Sequence, residues 1–213
     1  MKTEKVVVFD VDGTLFDTKP GIIKTLNEVF SIFGITPISS LDEDKWIGPP
    51  VRESFKKYSK MNDEQAEKAT QLYRKIYVDK YISDSTLYDG MMAVLGQLKK
   101  QNAHVCIATM KTAEQIEKLL FAKNMTDFFE IVQTAVLDGS KSKSDMLRII
   151  KNNYSKKSKY YMIGDTMGDY EAAINLEYNF IAALYGYGKF ENYTKLNYIN
   201  NPIDVLQFIC RYE

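Results

Sequence analysis

The sequence predicts an α/β protein, a parallel sheet wound with helices on both faces and interrupted early by a small helical unit. Three observations predict it. Residues 6–9, V-V-V-F, form an apolar run without alternation, the pattern of a strand covered on both sides. From Met91 onward, short apolar runs alternate with stretches of helical periodicity, as in strands joined by crossover helices. Between Thr18 and Leu87 there is no strand pattern, and helical spacing recurs instead.

The first strand is expected to stop near Asp10, within V-V-V-F-D-V-D-G-T. Side chains two apart on an extended backbone share a face, so Asp10 and Asp12 lean toward one point. Gly13 and Thr14 then turn the chain. The insertion carries helices over 22–33 and 63–81, punctuated by Pro20 at a helix start, Gly34 at a helix end and the Gly48-Pro49-Pro50 break. Later strands are expected at 105–108, 130–133, 160–163 and 180–184. Helices are expected at 91–101, 112–123, 143–152 and 167–175, with a last one at 203–212. The chain thus divides into a discontinuous sheet domain, 1–17 with 88–213, and a helical domain, 18–87.

At 213 residues with 45% hydrophobic content, there is ample material for a core. Lys plus Arg and Asp plus Glu both number 28, so no overall basic field gathers nucleic acid or anionic membrane. The four apolar residues before Asp10 are too few for a signal-peptide core, and no run is long enough for a membrane span. A soluble, cytosolic protein is expected. Cys106 and Cys210 read as two buried free thiols rather than a disulfide, and the N-x-S/T triplets at Asn124, Asn153 and Asn192 as chance matches.

In open α/β sheets the ligand crevice lies beyond the carboxyl ends of the strands. Several such ends carry polar residues: Asp10 and Asp12; Thr109 followed by Lys111; Gly164-Asp165 with Asp169 four residues on; and Lys141 and Lys143 opening a helix. An all-oxygen carboxylate set with no thiolate or imidazole beside it favours Mg²⁺ over Zn²⁺. The set also suits transfer of a phosphoryl group. Asp10 is the candidate nucleophile and Asp12 the candidate proton donor and acceptor. Thr109 and Lys143, with Lys141 as the alternative lysine, hold phosphoryl oxygens. The metal candidates are Asp10, Asp12, Asp165 and Asp169.

The D-x-D-G-T stretch, Thr109, the lysine near 143 and G-D-x-x-x-D from Gly164 to Asp169 resemble the four signature motifs of the haloacid dehalogenase superfamily. The insertion after the first motif resembles the cap of its phosphoglycolate phosphatase-like branch. W-I-G-P-P-V-R-E-S-F, L-D-G-S and L-Y-G-Y-G resemble a subgroup labelled 5'-nucleotidase-like or phosphoglycolate phosphatase-like. The resemblance implies a Rossmann-like core, a mobile helical cap, Mg²⁺ and hydrolysis of small phosphate monoesters, with a phosphomutase or a non-catalytic phospho-ligand binder as alternatives. Gly13, Thr14, Lys111 and Arg52 are the candidate substrate contacts. Lys111 has surface exposure as its rival reading, and Arg52 a solvated helix face. Tyr185 and Tyr187 in Y-G-Y-G either border the site or form a plain turn. Trp46 and the aromatics of 73–81 read as helix packing rather than a stacking surface.

Overall fold

A computed structural model describes residues 3–190 and 195–209. Cys210, the triplet at Asn192 and the end of the expected last helix lie outside the described residues. The chain folds as two compact units, Met1–Asp17 with Leu87–Glu213, and Thr18–Thr86.

The first unit is built on β1 (Lys5–Phe9), which is flanked on both sides in the sheet and fully buried from Val6 to Phe9. That burial is why these residues show no alternation. Two-residue strands β2 (Phe16–Asp17) and β3 (Thr86–Leu87) stand where the chain leaves this unit and returns. The remaining strands are β4 (His104–Thr112), β5 (Ile131–Ala135), β6 (Lys159–Gly164), β7 (Asn179–Ala183) and β8 (Asn197–Ile199). Together with β1 they form one sheet in the order β5-β4-β1-β6-β7-β8, every pairing parallel. The fold is a Rossmann-like α/β core.

The crossover helices are α4 (Met91–Lys100), α5 (Ala113–Ala122), α6 (Lys143–Asn152) and α7 (Met167–Ile174), numbered after three helices of the second unit. Val6 and Val8 pack with Met146, Leu147 and Ile150 of α6 and Ala172 and Ala173 of α7, while α4 and α5 lie against β4. Three of these helices begin with a reciprocal capping box, Thr112/Gln115, Ser142/Asp145 and Thr166/Asp169, which satisfies two otherwise orphaned backbone donors each time. Within the described part of the expected last helix, Pro202–Val205 forms a 3-10 turn followed by α8 (Leu206–Ile209).

Register aligns the strand ends. Phe9 lies opposite both Ile107 and Ile163, and the Asp10 N–H donates to Ile163 O at 2.9 Å. β4 runs further than 105–108 because its ladder to β5 slips between Thr109 and Thr112. The extra residues form a bulge, a device that re-aims side chains beside sites. Met110 is turned outward and Lys111 is buried.

The second unit contains α1 (Lys19–Ile32), α2 (Val51–Ser59) and α3 (Asp63–Ile76). The periodicity over 63–81 is split, α3 giving way to a π-helical turn at Tyr77–Tyr81. Trp46 is buried edge-on against Phe30 at 5.3 Å, and Tyr73 stacks on Tyr77 at 5.8 Å, so these aromatics form the unit's core. No helix among the described residues is long and apolar enough to cross a membrane.

Candidate active site

Asp10 follows the last residue of β1 and is buried. Across from it stands Lys143, the first residue of α6, aimed by the Ser142 cap. Its Nζ lies 2.5 Å from Asp10 Oδ1 and donates to Ala108 O at 2.9 Å. It also lies 2.8 Å from Asp169 Oδ1, close enough for an ion pair but not aligned as a hydrogen bond. Lys141 points elsewhere and donates to Gln133 Oε1 at 2.8 Å. Of the two lysines, the geometry puts Lys143 among the carboxylates.

Asp169 enters through the third residue of α7, where its Oδ2 accepts from the Thr166 backbone N–H at 3.2 Å and from the Thr166 hydroxyl at 2.6 Å. Asp165 follows β6. Its Oδ2 accepts from the backbone N–H groups of Tyr187 (2.9 Å) and Gly188 (3.2 Å), while its Oδ1 is buried without a hydrogen-bond partner among the described residues. One carboxylate oxygen from each of Asp10, Asp165 and Asp169 lies within 4.8 Å of the others.

The Asp12 carboxylate is not in that group of three. It pairs with Lys111 at 2.9 Å, and both side chains are largely buried. Surface exposure of Lys111 is thereby overturned, and the β4 bulge is the physical reason. Thr109 is fully buried, and its hydroxyl oxygen accepts from the Lys111 N–H at 3.2 Å. Gly13 has φ +75°, and a Cβ there would collide with Asp165 Oδ2. Thr14 is buried with its hydroxyl unpartnered among the described residues. Arg52 belongs to the second unit, on α2, held by Asp63 at 3.1 Å, Glu67 at 3.2 Å and Glu53 at 3.5 Å.

Crowding shows in the proton affinities. Burial, and then the neighbouring Asp169, push Asp165 up to about 7 against the pull of its two backbone donors. Burial likewise holds Asp10 well above the usual carboxylate range; Lys143 opposes this, and Asp169, Asp165 and Asp12 add to it. Burial works against the charge on Lys143, yet the carboxylates of Asp10 and Asp169 raise it above the ordinary lysine value. With all four carboxylates ionised, the two ammonium groups would leave an excess of two negative charges, which one divalent cation would cancel. An all-oxygen set with a bare buried oxygen on Asp165 suits a hard cation such as Mg²⁺.

The model of the haloacid dehalogenase-like hydrolase family matches residues 7–183, a span that contains Asp10, Asp12, Thr109, Lys111, Lys143, Asp165 and Asp169. The chain belongs to that family. Among curated relatives, tyrosine-protein kinase PtkA of Mycobacterium tuberculosis is 27% identical over 191 residues, 88% of this chain; the match spans only 65% of that protein's length. Phosphoglycolate phosphatase of Aquifex aeolicus is 25% identical over 207 residues, 96% of each chain. Among solved structures, a predicted phosphatase from Clostridium acetobutylicum superposes with a TM-score of 0.86 at 29% identity, covering 99% of this chain and all of that one.

The sequence alone leaves the role of Y-G-Y-G open. The structure gives it one, since the backbone N–H groups of Tyr187 and Gly188 hold Asp165. The glycine spacing is the signal available, because glycine marks close approach of backbone to a site.

Proposed function

We propose that the chain is a Mg²⁺-dependent phosphatase that hydrolyses small phosphate monoesters of the cytoplasm, phosphoglycolate or a nucleoside 5'-monophosphate in class, through an aspartyl phosphate on Asp10. The observation that carries the reading is a buried Asp10 with Lys143 at 2.5 Å and the carboxylates of Asp165 and Asp169 beside it. Asp10, Asp165 and Asp169 would hold the ion, with Asp12 contributing from its place next to Asp10. Bound there, Mg²⁺ supplies charge stabilisation for the phosphoryl oxygens and offsets the repulsion between carboxylates.

In the first half-reaction the Asp10 carboxylate attacks phosphorus in line. A bond from its oxygen to phosphorus forms as the ester P–O bond breaks, and the carboxyl group of Asp12 gives its proton to the departing oxygen. In the second, a water attacks phosphorus and gives a proton to the Asp12 carboxylate, while the bond between Asp10 and phosphorus breaks and releases phosphate. Lys111, 2.9 Å from Asp12, stabilises that carboxylate between the two steps. Lys143 and the Thr109 hydroxyl hold negative charge on the transferring group. Gly13, Thr14 and Lys111 contact the phosphoryl end of the substrate, and Arg52 its remote end, in exchange for the carboxylates that now hold it.

The test is phosphate release from a panel of phosphoglycolate, nucleoside monophosphates and a hexose phosphate, with Asp10→Asn as the comparison. Loss of at least about 10³-fold in kcat is expected when the group that forms the covalent bond is removed. Turnover retained in Asp10→Asn overturns the mechanism. Isomerisation of a sugar phosphate without phosphate release replaces hydrolysis with a phosphomutase reaction.

A further inference from the structure

The loop after β7, Leu184-Tyr185-Gly186-Tyr187-Gly188, touches two of the strand ends that make the site. Toward β6, it offers two backbone donors to Asp165 Oδ2. Its glycines permit this closeness: a Cβ on Gly186 would collide with Asp165 Cβ and with Gly13 O. Toward β1, the Tyr185 hydroxyl donates to Thr14 O at 2.9 Å, and the Tyr187 ring lies against the space where Gly13 lacks a Cβ. The Tyr187 hydroxyl donates to Asp17 Oδ1 at 2.5 Å. Tyr88 packs edge-on against Tyr185 at 4.8 Å.

A carboxylate can rotate about its Cα–Cβ and Cβ–Cγ bonds, and each rotamer presents different oxygens to a cation. Two donors on Oδ2 remove that freedom for Asp165 and leave Oδ1 as the bare oxygen. The donors are useful only if the loop that carries them is fixed; the Tyr185 hydroxyl ties it to Thr14 O, and the Tyr187 hydroxyl on Asp17 anchors the residue that itself supplies one of the two donors.

We infer that Tyr187, anchored by Asp17, is a positioning residue for the cation site: it holds the donor loop in place and so sets the orientation of the Asp165 carboxylate. The inference rests on the proposed Mg²⁺ site and deepens it. Partners of this kind, which orient a ligand without touching the metal, typically change metal affinity by about 10–100-fold. The effect expected here is at the lower end, because the backbone donors themselves survive a side-chain change.

Tyr187→Phe removes one oxygen and keeps the ring against Gly13. Asp17→Asn keeps the shape of the acceptor and removes its charge, and it serves as the second variant if the first does not fold. Mg²⁺ binding to each single variant, to the double variant and to the unsubstituted chain is measured by titration calorimetry without substrate, with thermal unfolding in EDTA alongside. Both single variants should bind Mg²⁺ about tenfold more weakly, and the double variant no more weakly than Tyr187→Phe alone, as for two members of one interaction. Unchanged Mg²⁺ affinity in Tyr187→Phe overturns the inference, and a lowered unfolding temperature in EDTA with unchanged affinity reduces the residue to a structural one. Losses that multiply in the double variant overturn the Asp17 anchor. If the unsubstituted chain does not bind Mg²⁺, the functional reading fails and takes this inference with it; binding there with no change in the variants sinks the inference alone.

Discussion

The carboxyl edge of the sheet and the surface of the helical unit both carry dense charge, but they handle it differently. At the sheet edge, Lys143 with Asp10 and Lys111 with Asp12 are withdrawn from water. In the helical unit, Lys68 pairs with Glu64 and Arg52 with Asp63 and Glu67 on open surface. Exposed pairs gain little because water solvates the separated ions nearly as well. Buried pairs have no such alternative, so removing one partner strands the other. The same residue types therefore stabilise little in one place and, in the proposed mechanism, act on the phosphoryl group in the other.

The largest break in this comparison comes from Lys143→Met. It leaves Asp10 and Asp169 without their shared cation, and the expected loss is about 3 kcal/mol of stability in EDTA at neutral pH, read from chemical denaturation, together with loss of turnover. A loss below about 1 kcal/mol, the range of a surface pair, would place this lysine in the same class as those on the helical unit.

An intermediate case lies at the opposite end of the strands. His104, half-buried at the start of β4, contacts Glu130 at 2.7 Å and Glu4 at 3.0 Å. Partial burial alone would lower its pKa, but the two carboxylates outweigh that and raise it above 6.5. Its contribution to stability is fully present below pH 6.5 and is lost as pH rises through the raised value. Glu4, whose pKa is lowered first by Ser158 and then by His104, contributes above pH 4.5 and loses that contribution as pH falls through its lowered value. Unfolding measured from pH 5 to 9 should show stability declining on the alkaline side, and His104→Gln should flatten that decline. An identical slope in the variant would remove His104 from the account.

The smallest effect belongs to Arg52→Met. Stability should stay within about 0.5 kcal/mol, as expected for exposed ion pairs, while KM for the best substrate rises and kcat is kept. An unchanged KM would leave Arg52 a surface residue like Lys68.

Much of this arrangement is legible in the sequence. The unalternating run ending at Phe9 marks β1, and the S/T-x-x-D/Q spacings at Ser142 and Thr166 place the helix starts that aim Lys143 and Asp169. Those signals are local, and local rules set them. α2 is harder to read as an element: Val51, Phe55 and Tyr58 stand at helical spacing, but the run is only nine residues long and follows directly on the Pro49-Pro50 break. β8 is only three residues long, too short to show a period. Lys111 and Tyr187 are ambiguous for another reason. Their partners, Asp12 in one case and Asp165 and Asp17 in the other, lie far off in sequence and meet them only once bulge and register are fixed.

Asp169 has one oxygen closing the first turn of α7 and the other facing Lys143. A single side chain thus caps a helix and closes the proposed cation site, and the two duties cannot be tuned apart. A screen that scored folding alone would flag this position as intolerant, and would do so without ever supplying a substrate.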